Sequence, residues 1–413
     1  MFFKRPPFWF VILISFLLGS VVGICFHQES NLVSSEITSM IIPWLKFPGD
    51  IFLNLLQMIM IPLVIASVAL GVSSLTSVSE LLNLGSKTMI YFVFTTTIAI
   101  IIGISLATII EPGKKIKSES RLSSFQQTDS GATNVDPLPL TIANIIPKNI
   151  IKSIYEQKML SLVLLGVILG IFFLSGDKTK SEPLKLFLTS VESFSIWFVN
   201  VAMKIAPIAV FGLMAFAITQ IGISLIAGLF YYVLTVLLGL LILLLFYLLL
   251  VFSFAKKNPF LFLKSIREVQ LLGFSTSSSS SVLPISLKLA KEKLHIKDKI
   301  ADFVLPLGAT INMDGTALYQ AVATIFISQV YQIEFTFFQY LLLVITVTGA
   351  SIGTAATPGV GIVILGSILH TFHIPIEGIA IIFGVDRFLD MCRTSINLSG
   401  DLVTASIMDR WIK

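Results

Sequence analysis

Near the C-terminus, Asp386, Asp390, Arg393, Asn397 and Asp401 follow one another at spacings of 4, 3, 4 and 4 residues. At about 100° per residue they share a helical stripe roughly 80° wide, and Arg387 sits just off it. The surrounding stretch is apolar enough to cross a membrane. A charge there costs at least about 2.5–3.5 kcal/mol and therefore faces a partner or a cavity. Asp390 and Arg393 can neutralise each other as an i,i+3 pair. Three aspartates and an asparagine nevertheless exceed what one arginine needs, so the stripe reads as the wall of a site.

A second source of oxygens lies upstream. Asn312 and Asp314 interrupt an apolar segment within Asn312-Met313-Asp314-Gly315-Thr316. Unpaired carbonyls at such a break, with hard carboxylate and amide oxygens, suit a dehydrated alkali cation, and Asp401 and Asn397 would add oxygens from the last helix. No His or Cys lies near Asn312 and Asp314 in the sequence, which disfavours a transition metal. Asn and Asp can also cap the two half-helices, a role that does not compete.

The serine run 275–281 offers hydroxyls and free N–H groups of the kind that receive anions at a helix N-terminus, with a flexible low-complexity turn as the alternative. Serine-nucleophile chemistry fits poorly, because there is no G-x-S-x-G elbow and the four histidines fall at loops or span ends. His370 and His373 read as an exposed loop pair. Lys204 reads as a snorkelling or paired lysine without a role in the site.

The elements that must position these residues follow from composition. The chain has 413 residues, 55% apolar and 12% charged, including 33 Phe; its mean hydropathy is +0.94. Soluble proteins are about 25% charged, so a soluble multidomain enzyme and a disordered or nucleic-acid-binding chain are excluded. Cys25 and Cys392 lie in apolar stretches and offer neither a disulfide framework nor a metal site. The composition is that of an integral membrane protein.

A spanning helix needs about 20 mostly apolar residues. Such runs occupy 8–26, 51–72, 89–110, 159–174, 196–218 and 223–254. The first reads as a span rather than a signal peptide, since it is long and no small-x-small site follows. Lysines mark the cytoplasmic side: Lys87, then Lys178, Lys180 and Lys185, then Lys256, Lys257, Lys264 and Arg267. The polar stretch 111–158 breaks the pattern, with seven basic residues on the predicted outer side. It also holds acidic residues, and long loops follow the rule poorly.

Beyond Lys257 the pattern changes. Segment 259–287 is broken at the serines and flanked by basic clusters on both sides, so both ends are cytoplasmic and the segment must turn back. It reads as a re-entrant hairpin, tolerated where protein or water satisfies the backbone. Segment 335–369 is broken at Gly353–Gly361, and its flanks hold Glu334, His370, His373 and Glu377 but no Lys or Arg. That predicts a second hairpin from the outer face. Between them lies a broken span, and a polar helix ends the chain with Arg410 and Lys413 inside. Opposed discontinuous elements meeting at mid-membrane are an inverted repeat, the recurring architecture of secondary transporters.

At this point the sequence resembles the dicarboxylate/amino acid:cation symporter family, which includes glutamate–aspartate symporters. The resemblance rests on STSSSSSVLP (275–284), GATINMDGTALYQ (308–320), SIGTAATPGVG (351–361) and DRFLDMCRTSINLSGD (386–401). With the span layout it covers nearly the whole chain. It implies an all-α membrane fold of eight transmembrane helices plus two opposed re-entrant helical hairpins, in an elevator-type transporter assembled as a homotrimer in lipid. Scaffold parts would span about 8–72 and 144–220, and transport parts about 86–110 and 223–413. Within the latter, hairpin one would cover 259–293, the broken helix 298–331, hairpin two (the lid) 335–371 and the last helix 375–412. The protein would be multi-pass in the cell (inner) membrane with both termini cytoplasmic. No enzymatic activity, organic cofactor or nucleic-acid partner is implied.

The resemblance also implies residue roles. Arg393 would clamp the substrate side-chain carboxylate, which guanidinium geometry favours over Lys, with Thr316 assisting. Asp390 would hold the ammonium, with Thr394 nearby. Asn397 and Ser279 would bind the α-carboxylate, and Ser278, Thr357 and Gly361 would line the site. One sodium site would use Gly308, Asn312, Asn397 and Asp401. A second would use Thr310 with backbone at Met313, Ser351, Ile352 and Thr354. A third would use Thr95, Thr96, Asn312 and Asp314 with backbone at Phe92. A neutral amino acid would leave Arg393 unpaired and a plain dicarboxylate would leave Asp390 unsatisfied, so the pair points to glutamate or aspartate. Family members usually carry a further arginine at the positions of Ser277 or Met391, and here Arg387 is a third location. The family tyrosine is replaced at Phe92. Sodium coupling is the primary expectation. Proton coupling, C4-dicarboxylate transport, a substrate-gated anion channel or receptor and, remotely, an intramembrane hydrolase stand as alternatives.

Overall fold

The computed structural model describes residues 8–27, 30, 32–73, 84–116, 146, 148–155, 159–222, 224–352 and 359–412. These form helices and the turns between them, with no strand among the described residues. In chain order they are α1 (Phe8–Phe26), α2 (Ser35–Ser73), α3 (Ser86–Ile110), the short α4 (Ile150–Tyr155), α5 (Met159–Ser175), α6 (Lys178–Met203), α7 (Ala206–Ile221) and α8 (Ser224–Leu250). There follow α9 (Pro259–Thr276), α10 (Ser279–Glu292), α11 (Asp298–Ile311), α12 (Asp314–Val330), α13 (Phe337–Ile352), α14 (Val360–Thr371) and α15 (Ile379–Trp411).

By length and composition, the helical stretches Ser86–Lys115, Lys178–Met203 and Ser224–Ala255 can each cross a membrane. Large apolar side chains face outward along the bundle, among them Leu17, Leu18 and Val21 on α1 and Phe230, Leu241, Leu245 and Leu249 on α8. Asp314, Arg393, Asn397 and Asp401 are buried. Apolar outside and charged inside is the distribution that a lipid surround requires.

The helices pack in two groups. In one, α1 lies on α7, and α2 lies on α5, α6 and α7. Small residues permit the approach: a Cβ at Gly23 would stand 2.7 Å from Ile218 Cβ, and one at Gly166 would stand 2.7 Å from Val68 Cβ. In the other group, α3 packs on α12 and α8, while α15 packs on α8, α9, α11 and α12. This second group carries the polar stripe.

Two expected boundaries are corrected. The apolar run 196–218 is not one span: α6 ends at Met203, Lys204 and Ile205 make a turn, and α7 begins at Ala206. Pro207 is the reason, because it has no N–H to offer the Met203 carbonyl. Hydropathy does not register a missing donor. Lys178, Lys180 and Lys185 consequently lie on α6 itself, whose start is capped by Asp177 accepting from the Thr179 N–H at 3.0 Å. The second helix starts at Ser35 rather than residue 51 and contains Pro43, Pro48 and Pro62. Its added turns carry Lys46, paired with Asp50 at 3.3 Å and placed over the Phe216 ring.

Two other interruptions fall where expected. Helices α9 and α10 meet at Ser277, whose φ of 52° is left-handed, and Ser278, whose side chain caps α10 by accepting from the Ser281 N–H. The break in the seventh span is confined to Asn312 and Met313. Helices α13 and α14 flank residues 353–358, which lie outside the described residues.

Candidate functional site

The stripe on α15 meets the N-terminus of α12, and that junction builds the site. Met313 supplies no side-chain cap to α12. Instead Asn397, reaching across from α15, accepts the Gly315 N–H at 2.7 Å, and its amide nitrogen reaches Thr316 Oγ1 at 3.2 Å and Met313 Sδ at 3.4 Å. A Cβ at position 315 would meet the Arg393 carbonyl at 2.8 Å, so glycine is what lets the two helices touch.

At one end, Arg393 is 1% exposed. Its Nη1 donates to Asp386 Oδ1 at 2.9 Å and its Nε to Asp390 Oδ1 at 3.1 Å. The guanidinium lies over the Tyr319 ring at 4.1 Å, a geometry that holds a planar cation by its face. Nη2 is 3.0 Å from the same Asp390 oxygen, yet none of its hydrogens is aimed at an acceptor among the described residues. Glycine keeps this spare donor open, since a Cβ at Gly361 would stand 3.0 Å from Nη2. The other oxygen of Asp390 accepts from Arg387 Nη1 and from the Gly359 N–H, both at 3.2 Å.

At the other end, the groups are oxygens. Asp314 is fully buried, with Thr96 donating to one oxygen and the Tyr247 hydroxyl donating to the other at 2.6 Å. Thr95 donates to the Phe92 carbonyl at 3.1 Å. Asp401, also buried, accepts from the Asn312 amide at 3.0 Å. The Asn312 Oδ1 itself has no partner among the described residues. Carboxylates held by neutral donors, with a buried oxygen left over, make a donor set that suits an alkali cation and leaves charge for it to balance.

Most expected site residues converge here. Thr316, Asn397, Asp390, Arg393 and Gly361 surround the arginine end, and Thr394 is buried beside them. Phe92, Thr95, Thr96, Asn312, Met313, Asp314 and Asp401 surround the oxygen end, while Gly308 abuts Asp401 closely enough that a Cβ there would collide with it. Thr310 turns its hydroxyl back to the Leu307 carbonyl at 2.9 Å. Ser351 is buried with an unpartnered hydroxyl among the described residues. Ser278 and Ser279 are buried at the junction of α9 and α10. Thr354, Thr357 and the Ile352 side chain lie outside the described residues.

Compared with known proteins, residues 8–411 match the sodium:dicarboxylate symporter family. The chain belongs to that family. Its relatives include a proton/sodium-glutamate symport protein of Bacillus subtilis (strain 168), 34% identical over 97% of this chain and 91% of the relative. A proton/glutamate-aspartate symporter of Escherichia coli (strain K12) is 33% identical over 97% and 92%. The excitatory amino acid transporter 1 of Ambystoma tigrinum is 31% identical over 99% and 83%. Family membership makes the chain a membrane transporter, with which the buried charges and the apolar exterior are consistent.

Three contributors escaped sequence reasoning in this symporter. Asp386 belongs to the stripe, but spacing alone does not show its partner: it binds Arg393 from two turns away. Tyr319 sits inside the GATINMDGTALYQ motif, without a charge to draw attention. Tyr247 lies within the uncharged run 223–254, and a phenol inside such a run is the signal that could have found it.

Proposed function

We infer that this chain is a cation-coupled symporter that takes up acidic amino acids, glutamate or aspartate, with sodium as the coupling ion. The observation that carries the reading is the pairing of two unlike ends in one buried site. Arg393 keeps a spare, unaimed N–H donor opposite glycine, which suits a carboxylate. Asp390, three residues and nearly one turn away on the same helix, suits an ammonium when the substrate takes over its contacts. The adjacent oxygens of Asp314, Asn312 and Asp401 suit sodium. The substrate's two carboxylates and single ammonium leave one net negative charge, which an entering cation offsets in a medium where bare charge is costly.

In this reading Ser278, Ser279, Thr316, Thr357, Gly361, Thr394 and Asn397 complete the amino acid site. Gly308, Thr310, Met313, Ser351, Ile352, Thr354, Phe92, Thr95 and Thr96 complete the three sodium sites. The group built on α1, α2, α5, α6 and α7 serves as the scaffold of a homotrimer. The group carrying α3 and α8–α15 moves as the transport unit, with α9–α10 and α13–α14 as opposed re-entrant hairpins and the second as lid. The termini face the cytoplasm.

Proton coupling is the second reading, favoured by the bacterial relatives, one a proton/sodium-glutamate symport protein and another a proton/glutamate-aspartate symporter. The test is uptake of labelled aspartate into proteoliposomes under a sodium gradient alone or a proton gradient alone. Sodium-driven accumulation is expected. Undiminished uptake without sodium would sink the sodium reading, and equilibration without accumulation would favour a channel.

A further inference from the structure

Helix α8 contributes one buried polar group to the oxygen end that none of the expected ligand sets contains. Tyr247 is 1% exposed, and its hydroxyl donates to Asp314 Oδ2 at 2.6 Å. The opposite oxygen of Asp314 takes the Thr96 hydroxyl from α3. The carboxylate is therefore gripped from two helices by neutral donors, Thr96 on α3 and Tyr247 on α8. Such donors orient a carboxylate without cancelling its charge.

The phenol occupies a place made for it. Gly400, one residue before Asp401, faces it: a Cβ at that position would stand 2.7 Å from the Tyr247 hydroxyl and 3.1 Å from the Asn312 Nδ2. Asn312 Nδ2 in turn donates to Asp401, while Asn312 Oδ1 is buried without a partner among the described residues. Tyr247, bound to Asp314, and Asn312, bound to Asp401, thus meet at Gly400, beside the oxygen without a partner among the described residues.

We propose that Tyr247 is a positioning residue of the cation site on Asp314: its hydroxyl locks the carboxylate plane so that the site meets a sodium ion already arranged. The inference rests on the sodium-symport reading above. Without the phenolic donor, Asp314 is held at one oxygen only, by Thr96, and gains freedom about its last side-chain bond. The ion must then freeze that freedom on binding, a cost of about three- to tenfold in affinity.

The test uses the full-length protein in detergent. Thermal stability is followed against sodium chloride, with choline chloride holding ionic strength constant and no amino acid present. Sodium is expected to raise the melting temperature of the wild type. In Tyr247→Phe, which keeps the ring, the sodium midpoint should rise about three- to tenfold, while aspartate affinity at saturating sodium stays that of the wild type. Gly400→Ala, which keeps the tyrosine but crowds its hydroxyl, should shift the midpoint in the same direction. The double variant should add little to Tyr247→Phe. A sodium midpoint unchanged in Tyr247→Phe overturns the role of Tyr247 alone. A wild type that does not respond to sodium at all overturns the sodium reading on which the inference rests.

Discussion

The two ends of the buried site differ in how their charge is held. At the arginine end, cation and anions already face each other: Arg393 with Asp386 and Asp390, and Asp390 again with Arg387. At the oxygen end, Asp314 and Asp401 are held by hydroxyls and an amide that carry no charge. A buried pair satisfies itself at modest net gain, so the first end can wait empty and exchange its partners for those of a zwitterion. A buried carboxylate with only neutral donors retains a field that recruits a cation. The difference teaches that organic and inorganic substrates are recognised here by opposite means, one by exchange of partners and the other by supply of a missing one.

The contrast can be broken most forcefully at Arg393. Replacing one member of a buried ion pair costs about 3–5 kcal/mol, so Arg393→Cys should reduce aspartate uptake at least about 100-fold and admit neutral amino acids such as serine. Parallel uptake of labelled aspartate and serine checks this, and unchanged aspartate affinity would refute the assigned role. The oxygen end is broken by Asp314→Asn. Hydrogen bonds to a charged group are worth about 1.5–3 kcal/mol, and the sodium concentration for half-maximal aspartate binding should rise about tenfold or more. An equal fall in aspartate affinity at saturating sodium would erase the distinction between the ends. The smallest expected effect sharpens the comparison. Arg387 is 18% exposed and gives Asp390 one of its contacts, so Arg387→Gln should raise the aspartate KM about two- to fivefold, in line with a partly screened pair of up to about 1 kcal/mol. Its sodium dependence should match the wild type. A changed sodium requirement would place Arg387 in coupling rather than in substrate binding.

Legibility followed the chemistry. Charges within apolar runs are conspicuous, and for that reason Asp314, Asp390, Arg393 and Asp401 could be picked from the chain. The breaks at Asn312-Met313 and at the serine run were visible because polar residues and glycine cluster there. The break between α6 and α7 was hidden, since Met203 loses its acceptor role through an absent N–H at Pro207 while the run stays apolar. The early start of α2 was hidden by Lys46 and Asp50, whose pairing lets them occur within a helix. Arg387 was open at the level of sequence, and its contact with Asp390 places it beside the substrate end.

By itself the sequence determined that this is a helical membrane protein, which residues carry its buried charge, and where polar residues interrupt its helices. These are local or compositional matters: the cost of a charge in lipid, the reach of a helical stripe, the polar residues at a break. Only the tertiary structure decided which oxygen meets which donor. Tyr247 and Asp314 are 67 residues apart, as are no local motif's members, and Gly400 decides whether they meet. Partner choice in a close-packed interior depends on distances of a few tenths of an ångström between helices remote in the chain, and no periodicity records them.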